Sequence, residues 1–251
     1  MLYELFCGLI KKFRKCLLVL EQRKESGKRM WDKAMVQMLL EGTRDTLYMT
    51  LMATLFGYVL GLPMGIVLAV TDKNGICANK IVYKVLDFIV NLVRSVPFLI
   101  LLILVIPLTR LIVGKSYGST ATIVPLVIAA APFIARMVES SLKEVEQGTV
   151  EAALSMGAGT GTIIWKVLLA EARTSLLVGV TIAVGTILGY SAMAGVVGGG
   201  GLGDIAIRYG YYRYETGVMI VTIIILVVLV QILQGLGMML SRKLDRRRRE
   251  L

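Results

Sequence analysis

"TGVMIVTIIILVVLVQILQGLGMMLS", Thr216 to Ser241, contains no Asp, Glu, Lys or Arg. A helix needs roughly 20 apolar residues to cross the hydrocarbon core of a bilayer, so this stretch reads as a transmembrane helix. Four more segments lack charge in the same way: Thr46 to Thr71, Ser95 to Thr109, Ser116 to Ala135 and Thr174 to Gly203. The second and third of the five in chain order are short by that measure. They reach full length when extended to about Leu86 and Arg136, with Arg94 near one membrane face. Composition agrees, since 56% of residues are hydrophobic and the mean hydropathy is +0.75, above that of an average soluble domain. The expected fold is an all-α polytopic membrane protein with five transmembrane helices.

Charge sets the expected orientation. The formal net charge of +11 is concentrated toward the two ends, which suits a membrane surface and membrane lipid better than nucleic acid. "SRKLDRRRREL", Ser241 to Leu251, directly follows the last span, and basic residues flanking a span mark the cytoplasmic side. Five spans then put Thr46 outside, Asp72 to Lys84 inside, Gly114 to Tyr117 outside and Met137 to Arg173 inside. Lys73, Lys80, Lys84, Lys143, Lys166 and Arg173 all fall on the inner side.

The N-terminal stretch "MLYELFCGLIKKFRKCLLVLEQRKESGKRM" is also basic, yet this count leaves it outside. Lys11, Lys12, Arg14 and Lys15 interrupt the apolar run that a signal peptide needs. It reads as an interfacial basic helix, as a further cytoplasmic element, or as a mis-called start with Met30 as initiator. The chain divides into a basic extension (1–40), a transmembrane domain (41–240) and a basic cytoplasmic tail (241–251).

Much chemistry is excluded. The chain has no His, which removes the commonest general base and neutral metal ligand. Cys7, Cys16 and Cys77 lack metal-type spacing and read as free thiols. "GAGTG" (Gly157 to Gly161) and "GVVGGGGLGD" (Gly195 to Asp204) do not end in the Gly-Lys-Ser/Thr of a phosphate-cradling loop. No catalytic residue, metal or bound cofactor is expected. The charge-free spans also lack the midplane ionisable residue that ion-coupled transporters commonly keep, so a transported solute would draw its energy from elsewhere.

Inside the spans, Gly57, Gly61 and Gly65 recur every four residues and lay a smooth strip for close helix packing. Gly185 and Gly189 repeat the device, and the next position on that face is Met193. A flexible thioether can plug a narrow passage and swing aside. Met193, with Tyr190 and Ser191 in "GYSAMAG", is therefore a pathway or gate candidate, packing being the alternative. Pro63, Pro97, Pro107, Pro125 and Pro132 introduce kinks of the kind tolerated beside a wet cavity. Tyr209, Tyr211, Tyr212 and Tyr214 suit a short re-entrant or interfacial element.

The inner segment "MVESSLKEVEQGTVEAALSMGAGTGTIIWKVLLAEA" reads as a short acidic helix, a break at Gly148 and a second helix capped by Thr149 with Glu151 in its first turn. Another break follows from Gly157, and then an amphipathic helix leads into the fourth span. Ala152, Ala153 and Gly157 leave the second helix a bare face, as needed to slot into another protein's groove.

"EAALSMG", followed after nine residues by Val167 and then Leu169, resembles the coupling motif of bacterial ABC importer permeases, E-A-A-x3-G-x9-I-x-L-P. Glu151, Ala152, Ala153, Gly157 and Leu169 match it, Val167 stands for Ile, and Ala170 stands where the family has Pro. "RSVPFLILL", "IPLTRLIVG", "VPLVIAAAPFIARMVE", "GYSAMAG" and "GGLGDI" are similar to the methionine-importer branch of these permeases, over about Glu41 to Met239.

The resemblance implies a homodimeric pore in the bacterial cytoplasmic (inner) membrane, with a cytoplasmic coupling helix between spans three and four. It further implies two cytoplasmic ATPase subunits, which carry the ATP and Mg, and an outer substrate-binding lipoprotein that delivers L- or D-methionine. The chain itself would do no chemistry. A permease of the same architecture for another amino acid or small metabolite, and a channel or membrane scaffold, are the competing readings.

Overall fold

The computed structural model describes residues 33–244. The extension 1–40 and the tail 241–251 lie outside them, apart from the residues that open the first helix and close the last. Cys7 and Cys16 lie outside them too. The packed body begins at Gly42.

Among the described residues there is no strand. The helices are α1 (Lys33–Thr71), α2 (Lys80–Ser95), α3 (Phe98–Val113), α4 (Ser119–Lys143), α5 (Gln147–Ser155) and α6 (Thr160–Thr162). From α6 a π-helical stretch, Ile163–Leu168, leads into α7 (Leu169–Glu171). They are followed by α8 (Arg173–Ala194), with a 3-10 turn at Gly195–Val197, then α9 (Gly201–Ile205), a π-helical Ala206–Tyr211, and α10 (Thr216–Leu244). Four of these, α1, α4, α8 and α10, are long and apolar enough to cross a membrane, and α2 with α3 passes the same test only as a bent pair. The spans number five, as expected, when that pair is counted as one crossing.

Their shapes differ from expectation in three places. The second crossing is not a straight helix from Leu86 to Thr109, because α2 and α3 meet at 107°. Proline drives the residue before it toward extended backbone, and Val96 sits at φ −82°, ψ 125°. Pro63, Pro107, Pro125 and Pro132 all lie inside continuous helices, so among the prolines Pro97 makes the break. In the third crossing, α4 runs on past Arg136 to Lys143. The expected short acidic helix is therefore the end of a spanning helix, and that span is not free of charge.

The fourth crossing stops at Ala194 rather than Gly203. Gly198, Gly200 and Gly201 take left-handed φ values of 77°, 80° and 73°, which reverse the chain and open α9. The re-entrant or interfacial element expected around the tyrosines thus starts at Gly201. Its first turn is tied to α1, since Thr46 Oγ1 accepts the Leu202 N–H at 2.8 Å and donates to the Gly42 carbonyl at 2.9 Å. Leu202 is fully buried, while Tyr211, Tyr212 and Tyr214 are exposed.

The core is organised around α4. Leu126, Ala130, Ile134 and Val138 pack in one cluster with Met49 and Ala53 of α1 and Ile187 of α8. The α1 glycines let two backbones meet. A Cβ on Gly61 would sit 2.6 Å from the Ala131 carbonyl oxygen, and one on Gly65 would sit 2.6 Å from the Ala135 oxygen and the Val138 Cβ. Gly57 is less tight, over Ala130 Cβ and the end of Ile134. In α8 the strip is half used: the Gln234 amide of α10 covers Gly185, whereas a Cβ on Gly189 would meet nothing within 4 Å.

Candidate functional site

The segment between α4 and α8 holds the motif residues. Its first helix, α5, begins at Gln147, after an extended Glu146 (φ −61°, ψ 128°) and with no side-chain cap. The Thr149 N–H bonds the Glu146 carbonyl at 3.1 Å, which puts Thr149 inside the first turn. The expected cap at Thr149 and break at Gly148 are therefore corrected, because an early turn at Glu146 starts the helix before either.

The other end matches the sequence reading. Gly157 takes φ 76°; its N–H bonds Leu154 O at 2.9 Å, and the Ala158 N–H bonds Ala153 O at 3.1 Å. These paired bonds are the Schellman closure, which wants glycine at the left-handed position. An L side chain there costs about 1–2 kcal/mol.

The motif residues divide by exposure. Ala153 is 5% exposed and joins the core cluster with Ile163 and Leu168, so it seats α5 on the body. Leu169 is half-buried, while Glu151, Ala152 and Gly157 are exposed. Beside them Leu154, Met156 and Trp165 are 49%, 81% and 69% exposed. Large apolar side chains exposed in a segment between spans suit an interaction surface.

An ion-pair chain above α5 was not anticipated. Asp72 pairs with Lys143 at 2.8 Å, Lys143 with Glu139 at 2.8 Å, Glu139 with Arg136 at 2.7 Å, and Arg136 with Asp87 of α2. Arg136 also donates to Asn91 Oδ1 at 2.9 Å, and Tyr83 OH donates to Glu139 at 3.3 Å. The half of the chain on α4 was visible as helix neighbours three and four residues apart; Asp72 and Asp87 are brought in by tertiary packing.

The hydrogen bond from Lys143 holds the Asp72 carboxyl below its usual range. Its contribution to stability is therefore present above the ordinary carboxylate pKa and lost as pH falls through the lowered value. The Glu139 side chain is 5% exposed and Lys143 is 40% exposed. Glu139→Gln removes the carboxylate shared by Arg136 and Lys143, which keep Asp87 and Asp72 as partners, and is expected to cost about 1–2 kcal/mol, less than a fully buried pair because water reaches Lys143. Thermal unfolding in detergent measures this, and an unchanged midpoint would show that the chain of charges contributes nothing.

The gate candidates sit in different surroundings. Met193 is 48% exposed. Ser191 is buried and donates to the Leu188 carbonyl at 2.8 Å, so it belongs to the core. Tyr190 stacks on Phe98, with centroids 4.5 Å apart and planes at 6°. That contact joins α8 to the residue just past the Pro97 bend. Among the described residues no group of three His, Cys, Asp or Glu could hold a metal ion.

Residues 61–246 match the family described as binding-protein-dependent transport system inner membrane component. The chain is 52% identical over 217 residues to the probable D-methionine transport system permease protein MetI of Vibrio cholerae, covering 86% of this chain and 96% of the relative. It is 50% identical over 161 residues to the D-methionine transport system permease protein MetI of Escherichia coli K12, covering 64% and 74%. Among solved structures, a chain of the inward-facing MetNI methionine ABC transporter is 47% identical, with a TM-score of 0.84 over 86% of this chain and all of that one. An amino acid ABC transporter crystallised with histidines shares the fold at 21% identity, with a TM-score of 0.69.

Proposed function

The chain belongs to the binding-protein-dependent transport system inner membrane component family, and on that premise we propose that it is the membrane-spanning permease subunit of an ABC importer for methionine. The observation that carries the reading is α5. A nine-residue helix, closed by Gly157 and seated through Ala153, turns Glu151, Ala152 and exposed apolar side chains away from the body. The methionine relatives extend over most of both chains and supply the substrate.

Two copies of the chain form the translocation pathway, and each α5 docks on a separate ATP-hydrolysing subunit. ATP and Mg bind to those subunits and not to this chain. The α5 end of the bundle faces the cytoplasm, as does the basic tail, and the end carrying Gly198 to Tyr214 faces outward, toward a substrate-binding lipoprotein. Because α5 lies between the ends of α4 and α8, a displacement of α5 acts on two spanning helices at once. The ion chain passes that motion from α4 to α2, whose far end adjoins the Pro97 bend and the Phe98–Tyr190 stack.

Uptake of labelled methionine into proteoliposomes holding the permease, the ATPase and the binding protein tests the reading. ATP-driven accumulation, absent with a non-hydrolysable analogue and competed by unlabelled methionine, is the expected result. ATP hydrolysis without methionine uptake would discard the substrate, and equilibration without ATP would make the chain a channel. In the same system, Met193→Ala is expected to raise passive leak or alter the uptake rate. Wild-type values for both would return Met193 to a packing role.

A further inference from the structure

Beside α5 lies a groove of about 580 Å³, with Glu151 and Leu154 of α5 on one side, Asn74 and Ile76 of the α1–α2 loop on the other, and Leu142 and Leu168 in its floor. Its size falls within the roughly 300–1,000 Å³ of sites that seat a whole ligand or several side chains. The loop wall is fixed. The Gly75 N–H bonds Asp72 O at 2.9 Å, Cys77 N–H bonds Val70 O at 3.1 Å, and Asn79 N–H bonds Thr71 O at 3.0 Å. Lys143 clamps Asp72, and Cys77 Sγ lies 3.7 Å from Thr160 Oγ1, which ties the loop to the segment after α5. A Cβ on Gly75 would also come within 2.7 Å of the Ala69 carbonyl oxygen, so the turn is closed tightly against the end of α1.

A preformed cleft loses little conformational freedom when it is filled; covering Leu142 and Leu168 is favourable, while Asp72, Lys143 and Glu151 in the same lining call for polar groups on the occupant. The mouth is continuous with the exposed face of α5, because Leu154 both lines the groove and is 49% exposed. Whatever covers α5 reaches the groove.

We propose that the α1–α2 loop is a second docking element for the ATPase subunit, which inserts a segment carrying both apolar and polar side chains between that loop and α5. Each permease then grips its ATPase as well as being gripped by it. This rests on the coupling role of α5 proposed above. It adds a contact that the coupling motif does not contain.

The test places a thiol in the wall. In a chain with Cys7, Cys16 and Cys77 changed to serine, Asn74→Cys is reacted with a membrane-impermeant maleimide in lipid nanodiscs, alone and with the ATPase subunit bound. The expected result is labelling slowed roughly tenfold or more by the subunit. Asn74→Trp, which narrows the mouth from an exposed position and leaves the floor intact, is expected to weaken subunit binding by roughly tenfold, the scale of a buried interface contact. An unchanged labelling rate in a complex shown intact by co-elution overturns the second docking element. A wild-type chain that binds no ATPase subunit overturns the coupling role itself.

Discussion

Gly61→Val combined with Gly65→Val is expected to lower the detergent melting temperature by roughly 10 °C, or to prevent the chain from accumulating in the membrane. Each new side chain would begin 2.6 Å from a carbonyl oxygen of α4, at Ala131 and Ala135 respectively. Backbone cannot rotate aside as a side chain can, so the whole of α1 must lift. Overpacking costs about 1–3 kcal/mol per site, and a domain of this size shifts by about 2–4 °C per kcal/mol. Gly57→Val should cost less, because the nearest atom there is the movable Ile134 Cδ1 at 2.9 Å. Fluorescence-detected thermal unfolding of the two variants beside wild type checks both the size and the order. Equal midpoints for wild type and double variant would mean that α1 does not pack as described.

Glu151→Lys and Gly157→Val should each reduce ATP-driven methionine uptake by about tenfold or more while the chain still inserts. Glu151 is exposed, so reversing its charge leaves the fold alone and alters only what α5 offers a partner. Gly157→Val acts by shape: φ 76° is costly for a β-branched residue, and losing it opens the closure that ends α5. The helix has only nine residues, too few to hold by itself in water. Assembly, hydrolysis and uptake are to be measured together, since an uncoupled complex hydrolyses ATP without transport. Uptake at the wild-type rate in both variants would remove α5 from the coupling mechanism.

The elements that repeat locally were readable from residues alone. The four-residue spacing of Gly57, Gly61 and Gly65 announced a helix face made for contact, and the charge-free runs announced five crossings. Gly157 was readable because few residues fit where a helix ends in a left-handed turn. Ser191 and Met193, two apart on one helix, point to different faces, which agrees with the burial of the first and the exposure of the second.

The rest depended on distant partners. Four prolines stay inside helices while Pro97 marks a sharp bend, and Asp87 and Asn91 of the helix that leads into it are held by Arg136 from another span. Half of the ion chain lay in the spacing of α4, but Asp72 and Asp87 reach it only through the fold. The groove beside α5 needs the α1–α2 loop as its second wall, and no local pattern pairs Asn74 with Glu151.

The bend at Pro97 also bears on the lipid. α3 has 16 residues, roughly 24 Å at 1.5 Å per residue, against a hydrocarbon thickness of about 30 Å. Its residues Leu104, Leu111 and Ile112 are 68%, 84% and 63% exposed in the single chain, an apolar surface suited to acyl chains. α2 leaves at 107° and adds little along the same direction. Bilayer on this flank has to thin to meet α3, at a fraction of a kcal/mol per ångström of mismatch. Acyl-chain length therefore bears on the stability of this flank, with shorter chains matching α3 better than longer ones.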